Sequence, residues 1–358
     1  DPKCDHRLQK LWERPDPNST IELLSLGYAL ASVRKAFPAW LNGCLHDLKQ
    51  PEAPKLNGAL FELNMVSWLI NGGMQIEPAP YAYPGLDLTI KFADNIDLLV
   101  SLKNFDMSTR EANFRAHCEQ LRDVCRKLFS TRGLPGVHAF FTAREYFDND
   151  RTWESIAKVL ENWTDKDGVA TFMPPDWPDF EVGLFKFEES FEKLARAFVS
   201  DDIVAIMPWH ENEHLHFSRK LNDAAAELKA ATAEKPGLKA CFIRIHQSAD
   251  VSTLQRLATE IVSDPDSQID LILLYQPAFV TDIHEETTTP TMHLIQVAST
   301  KWNSLMKKIN LKPLIAKQIH TPSKVKLTDG HGSLFDLPPE HYFYCRGQHF
   351  LETRATTE

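Results

Sequence analysis

The sequence predicts an α/β protein, and three observations carry that expectation. Apolar residues alternate with a period of two over 86–92 and again over 96–103, as they would in two adjacent strands with one buried face. Residues 56–145 read in the order helix, strand, strand, strand, helix, strand. A second run of strands alternating with helices fills 201–300. The 358 residues are 43% hydrophobic and 25% charged, enough apolar material for a substantial core.

Residues 1–55 form an expected N-terminal helical segment interrupted at Pro15 and Pro17. Asn18-Ser19-Thr20 can cap a helix that starts near Ile21 and runs toward Phe37-Pro38. Pro51 and Pro54 punctuate the chain before a helix over 58–70, stopped by Asn71-Gly72-Gly73. Strands are expected at 74–77, 86–92 and 96–103, a helix at 109–129 and a strand at 137–142. The helix at 109–129 carries an apolar stripe of Phe114, Cys118, Leu121, Cys125 and Leu128. A helix over 153–163, a Pro/Asp-rich connection at 164–182 and a helix at 188–199 complete a unit spanning 56–200.

The second α/β unit, 201–300, reads as strands at 203–207, 239–245, 269–275 and 292–298 with helices at 215–231 and 251–263. Residues 301–358 form a Lys-rich C-terminal segment ending in a polar stretch from Glu352, expected to fray.

Lys and Arg number 39 against 49 Asp and Glu, a net charge of -10, so a generally basic nucleic-acid wrapper is excluded. The charge is uneven. Residues 287–328 contain no acid and carry Lys301, Lys307, Lys308, Lys312, Lys317, Lys324 and Lys326, with His293 and Trp302 among them. Such a stretch can track phosphates or simply form a solvated face. No uncharged apolar run approaches the ~20 residues that span a bilayer, so no membrane partner is expected. Because the sequence begins at Asp1, the lack of a leader at its start carries no weight.

P-loop, dinucleotide-binding and serine-hydrolase signatures are absent. The six cysteines form no CxxC pair, and Cys118 and Cys125 lie two helical turns apart, about 10 Å, too far for a disulfide. Reduced thiols and a cytoplasmic location are the corresponding expectation.

The hairpin carries the most chemical information. Its register follows if Leu86, Leu88, Ile90 and Phe92 share a face with Ile96, Leu98, Val100 and Leu102, because a one-residue slip would split the set. Lys91 then falls opposite Asp97, as a cross-strand ion pair, and Asp87 opposite Ser101 with Lys103 one step on. The pattern gives Asp87 and Lys103 no structural partner. Turn chemistry after Pro84-Gly85 and a strand-end charge are their ordinary explanations.

An Asp and a Lys side by side on a strand pair, after a helix with a lone Glu, resemble the PD-(D/E)XK nuclease superfamily, the restriction-endonuclease-like fold. The matching residues are Gly58-Ala59-Leu60-Phe61-Glu62, Gly85-Leu86-Asp87 and Val100-Ser101-Leu102-Lys103, over roughly 56–145. The resemblance implies an αβββαβ core and a phosphodiesterase acting on DNA or RNA. It implies that Asp87 holds Mg²⁺ (or Mn²⁺) with Glu62 assisting, and that Lys103 acts on the attacking water or the phosphate. Glu111 and Gln120 are further candidates on the same ground.

Ser101 stands where the family has Asp or Glu, and a hydroxyl does not replace that charge. An active metal-dependent nuclease with a D…SxK site therefore competes with an inactive nuclease-like module that binds nucleic acid or a protein. The second α/β unit is the candidate surface for a protein partner. Arg115 and Arg122, with Lys307 and Lys308, are the candidate nucleic-acid contacts.

One other motif stands out. His210-Glu211-Asn212-Glu213-His214 matches HExxH, a zinc-protease pattern. It directly follows a strand and Pro208-Trp209, and Glu213 sits where such a helix packs apolar residues. Glu227 is an unconvincing third ligand.

Overall fold

A computed structural model describes residues 8–9, 17–49, 53–92, 96–105, 108–132, 137–143, 153–155, 157–158, 169–172, 180–186, 203–208, 212–246, 249, 251–282, 287–305, 317–318, 326–328, 334–336, 341–346 and 350–354. The described residues form an α/β structure with two main sheets, one of seven strands and one of six.

Three helices open it: α1 (Pro17–Ala36), α2 (Pro38–Leu48) and α3 (Ala53–Asn71). Prolines sit at or next to the first positions of α1 and α2, where a missing N–H costs no helical bond. The chain leaves α3 at Gly72-Gly73, whose amides bond back to Trp68 and Ile70. Strands β1 (Gln75–Pro78), β2 (Leu88–Lys91) and β3 (Asp97–Phe105) follow as an antiparallel meander. Their register is the one the alternation requires, with Thr89 opposite Leu99 and Lys91 opposite Asp97.

The neighbour of β3 differs from the sequence expectation. Helix α4 (Thr109–Arg132) and strand β4 (Val137–Ala143) form as anticipated, but β4 lies in the other sheet. That six-stranded sheet combines β4 with β5 (Val169–Phe172), β6 (Phe180–Lys186) and β7 (Ile203–Pro208), and later with the C-terminal strands. Strand β3 instead pairs in parallel with β8 (Leu238–Ile245), reached through helix α5 (Glu213–Ala231). The αβββαβ run expected over 56–145 is therefore divided between the two sheets, and the helix and strand that follow β3 in its own sheet are α5 and β8, beyond residue 212.

The seven-stranded sheet continues through α6 (Val251–Ser263), β9 (Leu271–Asp282), β10 (Thr287–Ala298), α7 (Thr300–Leu305) and β11 (Lys317–Gln318), in the order β1-β2-β3-β8-β9-β10-β11. The remaining strands are β12 (Lys326–Thr328), β13 (Leu334–Asp336), β14 (His341–Arg346) and β15 (Phe350–Arg354). Of these, β14 and β15 extend the six-stranded sheet beside β7. Both main sheets therefore cross the division expected at residue 200. The connection expected at 164–182 contains β5 and the start of β6, and Glu352–Arg354 lies in β15 rather than in a frayed end. The helix expected at 188–199 lies outside the described residues.

Helices cover both faces of the seven-stranded sheet, which is why its central strands are apolar on both sides. Leu98, Val100, Leu102, Ala240, Phe242, Leu271 and Leu273 join the α1–α3 side, with Leu56, Leu60, Leu63 and Leu69 of α3. Leu99, Cys241, Ile243, Ile272 and Leu274 join the α5–α6 side, with Leu221, Leu228, Leu254 and Leu257. Each such leucine contributes about 1.5–3 kcal/mol by leaving water.

Leu86 departs from the expected face. It packs with the α5–α6 cluster, while Leu88 and Ile90 pack with the opposite one. The regular alternation therefore ends before β2, at the turn that precedes Asp87. Lys91 also differs from expectation: its ammonium meets Glu77 of β1 at 2.7 Å rather than Asp97, because β1 lies beside β2 on its other edge.

Candidate active site

The β2–β3 ladder ends with Leu88 opposite Val100. Just beyond it the main chain of Asp87 still donates to the Val100 carbonyl, and the Asp87 carboxylate takes over as a bonding group. Its Oδ2 accepts the Leu102 N–H at 2.6 Å and the Ser101 hydroxyl at 3.4 Å. The carboxylate is partly buried, and desolvation raises its pKa against the lowering effects of the Leu102 amide, Lys103 and Ser101. Ser101 is fully buried on β3, so no water shell makes up for the charge its hydroxyl lacks.

Glu62 enters from α3. Its neighbours Phe61 and Leu63 are core residues, which leaves Glu62 little exposed. Burial, then the Asp87 and Asp47 carboxylates, push its carboxyl up to about 8, with Lys103 pulling the other way. Glu62, Asp87 and Lys103 thus act on one another electrostatically, from a helix and two strands.

Lys103 reaches the side of the sheet covered by α5 and pairs with Glu227, Nζ to Oε2 at 2.5 Å. Cys241 on β8 is buried nearby, its thiol pushed up to about 12 by burial. On the other side of Glu62, the Tyr81 hydroxyl donates to Asp47 Oδ2 of α2 at 2.8 Å, and the Tyr81 ring meets Trp40 edge-on. The Cys44 thiol of α2 is held protonated by burial and by Glu62.

Glu227, Asp47 and Tyr81 were not among the residues the sequence pointed to for this site. Glu227 lies on α5 next to core residues Ala224, Ala225 and Leu228, and no local pattern distinguishes it. Tyr81 had the better signal, an aromatic in the Pro80–Pro84 turn just before Asp87.

Most of the remaining candidates lie outside what the structure describes. Arg115 and Arg122 belong to α4, and their side chains, like that of Glu111, are outside the described set. Lys307 and Lys308 lie outside the described residues. So do His210 and Glu211; α5 begins at Glu213, and His214 in its first turn is exposed. Asp270 does structural work at the start of β9, accepting the Lys239 N–H at 3.0 Å, with Ser299 and Lys301 within 3.5 Å.

Among the described residues no group of three or more His, Cys, Asp or Glu has the geometry to hold a metal. The oxygen donors present are two, Asp87 and Glu62, with the Glu62 carboxyl raised by Asp87 and Lys103 engaged by Glu227. Carboxyl oxygens are the donor type that Mg²⁺ takes, together with several of its own waters. No helix among the described residues is long and apolar enough to cross a membrane.

No family model matches the chain. No curated protein matches it either.

Proposed function

We propose that the protein is a metal-dependent nuclease of the PD-(D/E)XK type. The observation that carries this reading is the placement of Asp87 where β2 and β3 part, its carboxylate held by the Leu102 N–H and the Ser101 hydroxyl one step before Lys103, with the Glu62 carboxyl of α3 raised by it. The α-β-β-β-α-β order of α3, β1–β3, α5 and β8 supports it, because it is the order the resemblance requires. Glu62 and Asp87 would hold Mg²⁺ or Mn²⁺, which when bound supplies neutralising charge at the phosphate and a more acidic water. The Leu102 amide and Ser101 hydroxyl fix the Asp87 carboxylate in one orientation. Lys103 presents a cation to the charge that develops on the phosphate. The phosphodiester substrate is DNA or RNA.

One observation favours a second reading, a nuclease-like module that binds nucleic acid or a protein without cutting. Ser101 is buried and neutral beside the pair of carboxylates, so the site holds one acid fewer than the family pattern.

Calorimetry with Mg²⁺ and Mn²⁺, alongside cleavage assays on plasmid, single-stranded DNA and RNA, separates the two. On the first reading Asp87→Ala loses metal binding and reduces cleavage at least about a hundredfold, the scale expected when one group that stabilises developing charge is removed. Nucleic-acid binding with no metal-dependent cleavage of any substrate selects the second. Cleavage unaffected by Asp87→Ala overturns the site.

A further inference from the structure

The Lys103–Glu227 contact joins residues 124 positions apart, and three features of α5 hold it in place. Gly85, two residues before Asp87, has φ +75, and a Cβ there would lie 2.5 Å from the Glu227 carbonyl oxygen. The main chain of Glu227 is therefore seated directly on the turn that delivers Asp87. Leu86 from that turn packs in the same cluster as Leu221, Ala224 and Leu228 of α5. The cluster also contains Leu99 and Cys241, which flank the Ser101–Lys103 stretch on β3 and β8.

We infer that Glu227 is a positioning residue of the site: from α5 it holds the Lys103 ammonium in one place, on the side of the sheet where β3 carries Ser101 rather than an acid. This rests on the nuclease reading. Lys103 and Glu227 are 28% and 55% exposed, and an ion pair that open to solvent contributes little to folding. Its consequence is the placement of a cation. With the pair intact, Lys103 projects from one place; without it, a four-carbon stem leaves the ammonium many rotamers.

The test compares wild type, Glu227→Gln and Glu227→Asp in the full chain, with two readouts. The first is metal-dependent cleavage under steady-state conditions, with substrate in excess. Glu227→Gln should lower kcat about tenfold or more while KM stays within about twofold, and Glu227→Asp should recover part of the loss. The second needs no metal or substrate: reductive ¹³C-methylation of the lysines, with the Lys103 resonance identified by its loss in Lys103→Arg. That resonance should shift and sharpen in Glu227→Gln as the ammonium is released. A purely structural role for Glu227 would lower thermal stability without the kcat-against-KM split, and that result overturns the inference. So does cleavage by Glu227→Gln at the wild-type rate, or an unchanged Lys103 resonance. An inactive wild type overturns the nuclease reading itself, and is distinguished from these by the wild-type assay alone.

Discussion

Glu62 is the residue whose environment departs furthest from that of an exposed acid. Its carboxyl is raised to about 8 in the fold, from an ordinary value near 4.5. Below about pH 4.5 it is protonated whether the chain is folded or not, and it costs nothing. Between these values the folded state keeps a proton that the unfolded state releases, so stability falls as pH rises; above 8 the whole cost is present. Glu62→Gln never ionises. In EDTA, its advantage over wild type in urea unfolding should grow from pH 5 to pH 9 by about 2–4 kcal/mol. A gap that stays constant with pH would mean Glu62 is solvated and not part of a buried pair. Asp87 and Lys103 could be singled out in the sequence because the hairpin's apolar alternation leaves polar residues to the remaining positions, and Glu62 because it is a lone acid in an otherwise apolar helix. Glu227 was not, because its partner is remote in sequence and its own helix offers no contrast.

At the scale of elements, the decisive contact is that of α5 with the turn before β2. Replacing Gly85 adds a Cβ at a left-handed φ and against the Glu227 carbonyl at once. Gly85→Ala should destabilise by at least about 1–3 kcal/mol. Gly27→Ala, in α1 with nothing within 4 Å of the added atom, should instead stabilise by about 0.5–1 kcal/mol. Urea midpoints of the two variants check this, and similar values would mean that α5 does not rest on Gly85.

The elements show the limits of local sequence information too. Strands β1–β3 and the helix before them could be read because each carries its own periodicity. The choice of α5 and β8, rather than α4 and β4, to complete the order could not. Both pairs are an amphipathic helix followed by an apolar strand, and the sheet a strand joins is decided by its partners. Ala139 finds Ile203 and Lys103 finds Ile243, pairings that leave no mark on nearby residues.

Across the whole molecule the net charge of -10 limits any nucleic-acid contact to a local surface. Binding should therefore be weak in affinity and steep in salt for its size. Each phosphate neutralised contributes about -0.9 to the slope of log K against log salt on duplex DNA. The stretch 287–328 carries seven lysines and no acid, so Lys307→Ala with Lys308→Ala should reduce that slope by roughly 1–2. Fluorescence anisotropy over a salt series measures it, and an unchanged slope would remove this stretch from the interface. The carboxylates and the basic run are separate in the sequence, and on the proposed reading they would satisfy opposite needs, negative charge toward a metal and positive charge toward a phosphate backbone.

The insertion between β3 and α5 also sets an order of events during synthesis. A growing chain is made from its N-terminus, so Glu62, Asp87 and Lys103 leave the ribosome long before Glu227 exists. Until α5 and β8 follow, β3 lacks the neighbour at its inner edge and Lys103 lacks its anchor. A nascent or truncated chain thus carries the three residues without the frame that aligns them. Their alignment waits for the 124 positions that separate Lys103 from Glu227 to be made.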